Sequence, residues 1–268
     1  MRLLSLLPSG DFTLTTFDDH EPPPYAILSH TWGEEEVIYQ ELVGGLGKEK
    51  FGYAKLGFCG ERAAADSIRY FWVDTCCINK QDSAELDTAI NSMFRWYQRA
   101  AKCYVYLPDV SVSEEVVDAE ATRTTWIEAF RKSRWFTRGW TLQELVAPAT
   151  LEFFSKERKR LGDKSSLEKD IHEVTRLPVE VLRGQSFAER SVDERMTWSD
   201  NRTTYMEEDI VYCLLGIFGV KLVLNYGEGA REAAERLREK IDEQLLGPRK
   251  RHGTLSVLCS KYRSTSAD

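Results

Sequence analysis

An α/β fold, a parallel sheet flanked by helices with a helical extension on its C-terminal side, is what the 268-residue sequence predicts. Up to Lys156, short unbroken apolar runs alternate with segments of helical period, the pattern of βα units around a sheet buried on both faces. Beyond Lys156, apolar residues recur at helical spacing between short loops. A composition of 42% hydrophobic and 29% charged residues supplies a sizeable core for both parts. The expected division is a sheet domain over 1–156, a helical extension packed on it over 157–246, and a flexible basic tail over 247–268.

The opening run MRLLSLLPSGDFTL reads as a first strand, because Pro8 and Asp11 arrive too early for a secretory segment. Residues 26–29, 71–74, 103–107 and 151–154 read as buried parallel strands. Between the first two of these, 48–68 carries Tyr53, Leu56, Ala63, Ala64 and Ile68 and crosses as a helix, which Gly57 and Gly60 weaken. Over 82–101, Leu86, Ile90, Met93, Phe94, Tyr97 and Ala101 follow helical spacing, and Asp82 with Glu85 fits a capping box. Residues 124–145 form two short helices around a corner at Trp135 to Gly139. In the extension, Ser165 with Glu168 caps a helix burying Leu167, Ile171 and Val174. Ile210, Cys213, Leu214 and Ile217 form a second stripe, and Ala230, Ala233, Ala234, Leu237, Ile241 and Leu245 a third.

The net charge of −7 disfavours a phosphate-driven grip on nucleic acid, and no apolar run approaches the roughly 20 residues of a membrane-spanning helix. The expectation is a cytoplasmic protein with no membrane partner. Six cysteines without CxxC spacing support neither a zinc ribbon nor a metal site, and no disulfide is expected in a reducing compartment. Gly44-Gly45-Leu46-Gly47-Lys48 is not a phosphate loop, since Leu42 replaces its first glycine and Glu49 its Ser or Thr. Asn225-Tyr226-Gly227-Glu228-Gly229 reads as a turn before the last helix.

Three constellations carry chemistry. Ser29-His30-Thr31-Trp32-Gly33 ends one strand and Asp74-Thr75-Cys76-Cys77 ends another, where open parallel sheets place their ligand crevice. Each has a plain alternative: Ser29, His30 and Thr31 satisfying a turn that Gly33 closes with Trp32 in the core, and Asp74 capping its turn. The third is Arg138-Gly139-Trp140-Thr141-Leu142-Gln143-Glu144-Leu145, in which Glu144 lies on the first turn of a helix and Thr141 with Glu144 also fits a capping box. A Cys77 nucleophile with His30 as base is the weakest reading, because a cysteine beside apolar strand residues is usually inert.

In this order the three constellations, with Tyr25-Ala26-Ile27-Leu28 before the first, Trp72-Val73 before the second and Ile78 after it, resemble the fungal heterokaryon-incompatibility (HET) domain family. The resemblance continues through Arg202-Thr203-Thr204, Glu208-Asp209, the run from Tyr212 to Phe218 and Tyr226-Gly227-Glu228-Gly229, so it covers residues 1 to about 245. It implies a cell-death effector of non-self recognition, acting when genetically unlike fungal cells fuse. HET domains are in turn distantly similar to Toll and interleukin receptor (TIR) domains, whose flavodoxin-like fold is the expected architecture. Ser133-Arg134-Trp135 and Trp140-Thr141-Leu142-Gln143-Glu144-Leu145 look like the TIR pattern in which Trp, a small residue and Glu-Leu open a helix beside the crevice; Thr141 replaces a frequent cysteine.

Several TIR domains hydrolyse NAD with that glutamate, so the resemblance implies NAD as substrate, no cofactor, and Glu144 as catalytic residue. By position, Trp32 or Trp140 would stack a flat ring, Arg138 would meet the pyrophosphate, and Ser29, His30 and Asp74 would orient the ribose or the nicotinamide amide. A homo-oligomer on activation and an upstream sensor protein are the partners it implies. The rival is a non-enzymatic adaptor that self-associates through Trp140, Glu144 and their neighbours and kills by recruitment. Convergence of Glu144, Trp32 and Asp74 on one concave site would favour the enzyme.

Overall fold

The computed structural model describes residues 1–112 and 119–246, so the expected basic tail and Cys259 lie outside the described residues. Among these, seven strands form one sheet in the order β2-β1-β4-β3-β5-β6-β7: β1 (Arg2–Leu6), β2 (Phe12–Thr16), β3 (Tyr25–His30), β4 (Tyr70–Trp72), β5 (Lys102–Tyr106), β6 (Leu151–Phe154) and β7 (Arg160–Asp163). The four strands β4, β3, β5 and β6 are parallel, and β1, β2 and β7 join antiparallel. The α/β expectation stands, but the sheet is mixed and its edges are longer than the sequence suggested. The opening run is a hairpin rather than one strand: Leu7 N–H donates to Asp11 at 2.8 Å and Gly10 takes a positive φ. The sheet also runs on through β7, past residue 156, which ties the chain beyond that point to the sheet.

β3 is buried along its whole length, as a central parallel strand must be. The chain leaves it through α1 (Tyr39–Val43) and α2 (Phe51–Ala65) to reach β4 on one side, then returns through α3 (Ser83–Arg99) to β5 on the other. The order of connection reverses between β3 and β5, which is the switch point where doubly wound sheets of flavodoxin-like order bind ligands. Gly60 sits in α2 for a packing reason: a Cβ there would lie 3.2 Å from the Phe71 ring.

Alternate residues of each strand face opposite layers. Phe71, Tyr104, Tyr106 and Phe154 meet α2, where Phe58 packs on Tyr106 and Phe154 and Tyr104 donates to Asp66. On the other face, Trp72 packs on Trp96 and Tyr97 of α3, and Phe153 packs on Phe130 and Trp135. Asp82 caps α3 by accepting from Ala84 and Glu85, but Glu85 turns to the Asn79 N–H and Arg2 instead of closing a capping box.

The two helices expected around the corner at Trp135 to Gly139 are α4 (Ala119–Arg131) and α5 (Thr141–Val146), with a 3-10 turn (Arg134–Thr137) between them. After β7 follow α6 (Glu168–Thr175), α7 (Val179–Leu182), α8 (Val192–Thr197), α9 (Asp209–Tyr212), α10 (Leu215–Phe218) and α11 (Gly229–Leu246). Ser165 does not cap α6; Asp163 accepts the Ser165 and Ser166 N–H groups, and Glu168 pairs with Arg183. α10 closes on α3 at Gly216, where a Cβ would lie 2.0 Å from Phe94. Asn91 of α3 both donates to and accepts from Leu222. No described helix is long and apolar enough to cross a membrane.

Candidate functional site

The C-terminal ends of β3 and β4 carry two polar clusters, back to back, because Ser29 and His30 are neighbours on one strand and point to opposite faces. On the α3 and α5 face, the Ser29 hydroxyl donates to Glu144 Oε2 and accepts from the Trp135 indole at 2.8 Å. Trp135 is held in place by the 3-10 turn: Asp109 accepts from Ser133 and the Arg134 N–H at 2.8 and 2.7 Å, and Ser133 accepts the Trp135 N–H. Glu144 is thus no capping-box partner of Thr141. The Thr141 hydroxyl donates instead into the preceding turn, with the Trp135 and Arg138 carbonyls at 2.6 and 2.8 Å.

Glu144 is 6% exposed. Burial pushes its carboxyl up to about 8, and nearby Asp74 adds to the rise, while hydrogen bonds with Ser29 and Tyr97 and the Arg202 cation pull the other way. Tyr97 stands in α3 with its hydroxyl also on the Leu28 carbonyl at 3.1 Å, and the buried Cys103 thiol of β5 completes the titratable surroundings. At neutral pH this carboxyl is mostly protonated, in a site that resists charge.

The α2 face behaves oppositely. His30 Nε2 meets Asp74 and Nδ1 meets Lys55 Nζ, each at 3.2 Å, and Lys55 pairs with Glu36 and donates to the Thr31 carbonyl. Asp74 also accepts from the Trp32 indole at 2.9 Å and lies 3.5 Å from Lys80. Burial would raise the Asp74 carboxyl, but Lys80, His30 and Trp32 outweigh it and hold Asp74 well below the usual carboxylate range. Asp74 therefore binds side chains and does not cap its turn. Trp32 is not core: it is 48% exposed, with Lys80 Nζ 3.4 Å from its ring centroid and its carbonyl accepting from Arg134. Beside this cluster, Gly33, Glu34, Glu35, Glu36 and Phe51 line an open cavity of about 270 Å³.

Ser29 with Glu144 and His30 with Trp32 and Asp74 thus form two clusters on opposite faces rather than one converging site, whereas Arg138 and Trp140 face the extension. The Trp140 indole donates to Asp209, whose carboxyl also accepts from Tyr226 at 3.0 Å and lies near the Arg138 cation. Asn225 to Gly229 is a turn, as its glycines suggested: Gly227 and Gly229 take positive φ, and both N–H groups donate to Glu208. Cys77 is buried and its sulfur accepts the Val73 N–H, while both ring nitrogens of His30 are engaged elsewhere, so no Cys77–His30 pair forms. Sequence reasoning missed Lys55 and Glu36, Tyr97, Lys80, and Trp135 as a partner of Ser29. Lys55 had a signal, since it shares a helical stripe with the buried Phe58, Cys59 and Gly52. Among the described residues no cluster of three or more His, Cys, Asp or Glu is placed to hold a metal ion.

An α/β domain of flavodoxin-like strand order with a buried carboxyl at its switch point is the class that this fold and site define. The family Heterokaryon incompatibility protein (HET) matches residues 25–123, and the chain is 54% identical over 244 residues to Vegetative incompatibility protein HET-E-1 of Podospora anserina. The chain belongs to the heterokaryon-incompatibility (HET) family. That alignment covers 90% of this chain but 18% of the relative's length, and the family match ends before Glu144. No solved structure matches the chain.

Proposed function

We propose that this chain is a cell-death effector of fungal non-self recognition and that it hydrolyses NAD to nicotinamide and ADP-ribose through Glu144. Its likeness to a vegetative incompatibility protein supports the first part. The observation that carries the second is a lone glutamate, desolvated and oriented by a serine, at the switch point of the sheet. A distant TIR relationship accounts for the same Trp, small residue and Glu-Leu order in Trp140-Thr141-Leu142-Gln143-Glu144-Leu145.

The chemistry needs one carboxylate. The bond from ribose C1′ to the pyridinium nitrogen breaks, its electron pair goes to nitrogen, and nicotinamide leaves neutral, so no general acid is required. The cationic pyridinium lowers the Glu144 carboxyl as it approaches, and the resulting carboxylate stabilises the oxocarbenium-like C1′. Water then adds at C1′ and gives up one proton. Ser29 orients the carboxyl, and the exposed Trp32 offers a ring to stack, its Lys80 contact being the one a cationic ring would displace. Self-association on activation, an upstream sensor and a cytoplasmic setting belong to the same reading.

The test is nicotinamide release from NAD by the concentrated, crowded chain, as wild type and as Glu144→Ala. Release in the wild type that is abolished in the variant supports the enzyme, and release that persists in Glu144→Ala removes Glu144 from it. With no release from either protein but cell killing retained, the adaptor reading replaces it. Its supporting observation is that Glu144 is sequestered at 6% exposure and hydrogen-bonded within the chain. In the active case kcat/KM rises with pH through about 8, because the free protein must lose the Glu144 proton.

A further inference from the structure

The turn that opens α5, and so aims Glu144, is built on partners from beyond the sheet. Thr203 N–H donates to the Thr137 carbonyl at 2.6 Å, and Gly139 N–H donates to the Thr203 carbonyl at 3.0 Å. Gly139 has no room for a side chain, since a Cβ would meet Thr204 Cγ2 at 2.4 Å. Arg202 Nη1 donates to the Arg138 carbonyl at 2.8 Å and to the Thr141 hydroxyl at 2.9 Å. Trp140 is held by Asp209. All five residues from Thr137 to Thr141 thus bond to residues between 202 and 209.

We infer that Arg202 is a positioning residue of the Glu144 site, its guanidinium fixing the Arg138 to Thr141 turn so that the helical extension is a working part of that site. A buried guanidinium without a hydrogen-bonded carboxylate is a costly way to brace a turn. Arg202 is 7% exposed, its Nη2 has no protein partner, and burial pulls it down to about 10, so it still carries charge at neutral pH. Braced on the turn from which α5 starts, that charge acts on Glu144. An apolar residue filling the same volume could neither donate to the turn nor bias the carboxyl.

The inference rests on the NAD-hydrolysis reading, and its test separates the two. Nicotinamide release is measured against pH for wild type, Arg202→Lys and Arg202→Met, each checked for folding by circular dichroism. Arg202→Met is expected to lower kcat about 10²-fold with little change in KM and to move the rising limb of the profile to higher pH, with Arg202→Lys partly restoring both. A folded Arg202→Met with wild-type kcat and an unmoved profile overturns the inference. If wild type releases no nicotinamide, the hydrolysis reading fails, and the placement of Arg202 is judged by carbon NMR titration of Glu144, its signal identified by loss in Glu144→Gln. An upward shift of that titration in Arg202→Met sustains the placement, and an unchanged titration overturns it.

Discussion

The two faces of β3 treat a buried carboxyl in opposite ways. On the α2 side Asp74 lies among His30, Lys80 and the Trp32 indole, and Glu36 pairs with Lys55, so every negative charge has a close positive or donor partner. On the α5 side Glu144 has hydroxyl partners in Ser29 and Tyr97 and only a longer-range cation in Arg202. Desolvation acts on both, and the partners decide the outcome: Asp74 is held ionised and Glu144 is pushed up to about 8. Two carboxyls near adjoining strand ends, on opposite faces, thus have their values driven apart by their partners. One face is a fixed charge network, and the other is poised to change charge when a cation arrives.

Removing a charge from the paired face breaks the comparison most severely. Lys55→Met strands the Glu36 carboxylate, whose side chain is 9% exposed, and is expected to cost about 3–5 kcal/mol in urea unfolding. A loss below about 1 kcal/mol would show that solvent already screens the pair. Asp74 adds a pH signature of the same sign. Its folded value is depressed, so its stabilisation is full above the ordinary carboxyl range and is lost as pH falls through the folded value; stability should fall steeply only under strongly acid conditions.

On the other face the sign reverses. The Glu144 value is raised on folding, so between about 4.5 and about 8 the folded chain holds a proton that the unfolded chain has released, and stability falls as pH rises. Glu144→Gln keeps an acceptor for Ser29 without the charge and should stabilise the protein by about 4 kcal/mol at pH 8, shrinking toward zero near pH 4.5. Parallel melting curves for the two proteins across that range would contradict a raised Glu144. Ser29→Ala removes the donor to Glu144 and the acceptor of the Trp135 indole at once. It should cost about 1–2 kcal/mol in chemical unfolding and push the Glu144 titration further up. The smallest effect expected is from Lys80→Ala, which loses the 3.5 Å partner of Asp74 as well as the contact with the half-exposed Trp32 ring; a loss of about 1 kcal/mol, weakened by salt, is the expected reading.

The parallel strands, the crossing helices and the strand-end positions of Ser29, His30 and Asp74 were legible because burial on both faces leaves unbroken apolar runs and polar residues stand out where they stop, and Glu144 was legible on the first turn of its helix. β2 and β7 were not, for different reasons. Pro8, Ser9 and Gly10 carry the turn signal of the β1–β2 hairpin, but reading the opening run as one strand uses Pro8 only against a secretory segment, whereas Arg160-Leu161-Gly162-Asp163 is a charged edge strand with no apolar period. Arg138 and Trp140 looked like site residues because they flank Glu144 in the chain, but the turn at Gly139 directs them to Asp209. Arg202 left no trace at the sequence level as a partner of that turn, since a loop arginine acquires its role only through a tertiary contact.

The described cysteines, Cys59, Cys76, Cys77, Cys103 and Cys213, are all unpaired and all buried, and they are spread over both layers and the extension. They amount to a set of position-resolved clocks. A thiol reagent cannot reach any of them until its surroundings open, so with Cys259 replaced by serine, the order in which they are alkylated would report which layer of the protein breathes first. Cys103, beside Glu144, and Cys213, beside Arg202, would then time whether the carboxyl and the arginine that aims it are released in one event or in two.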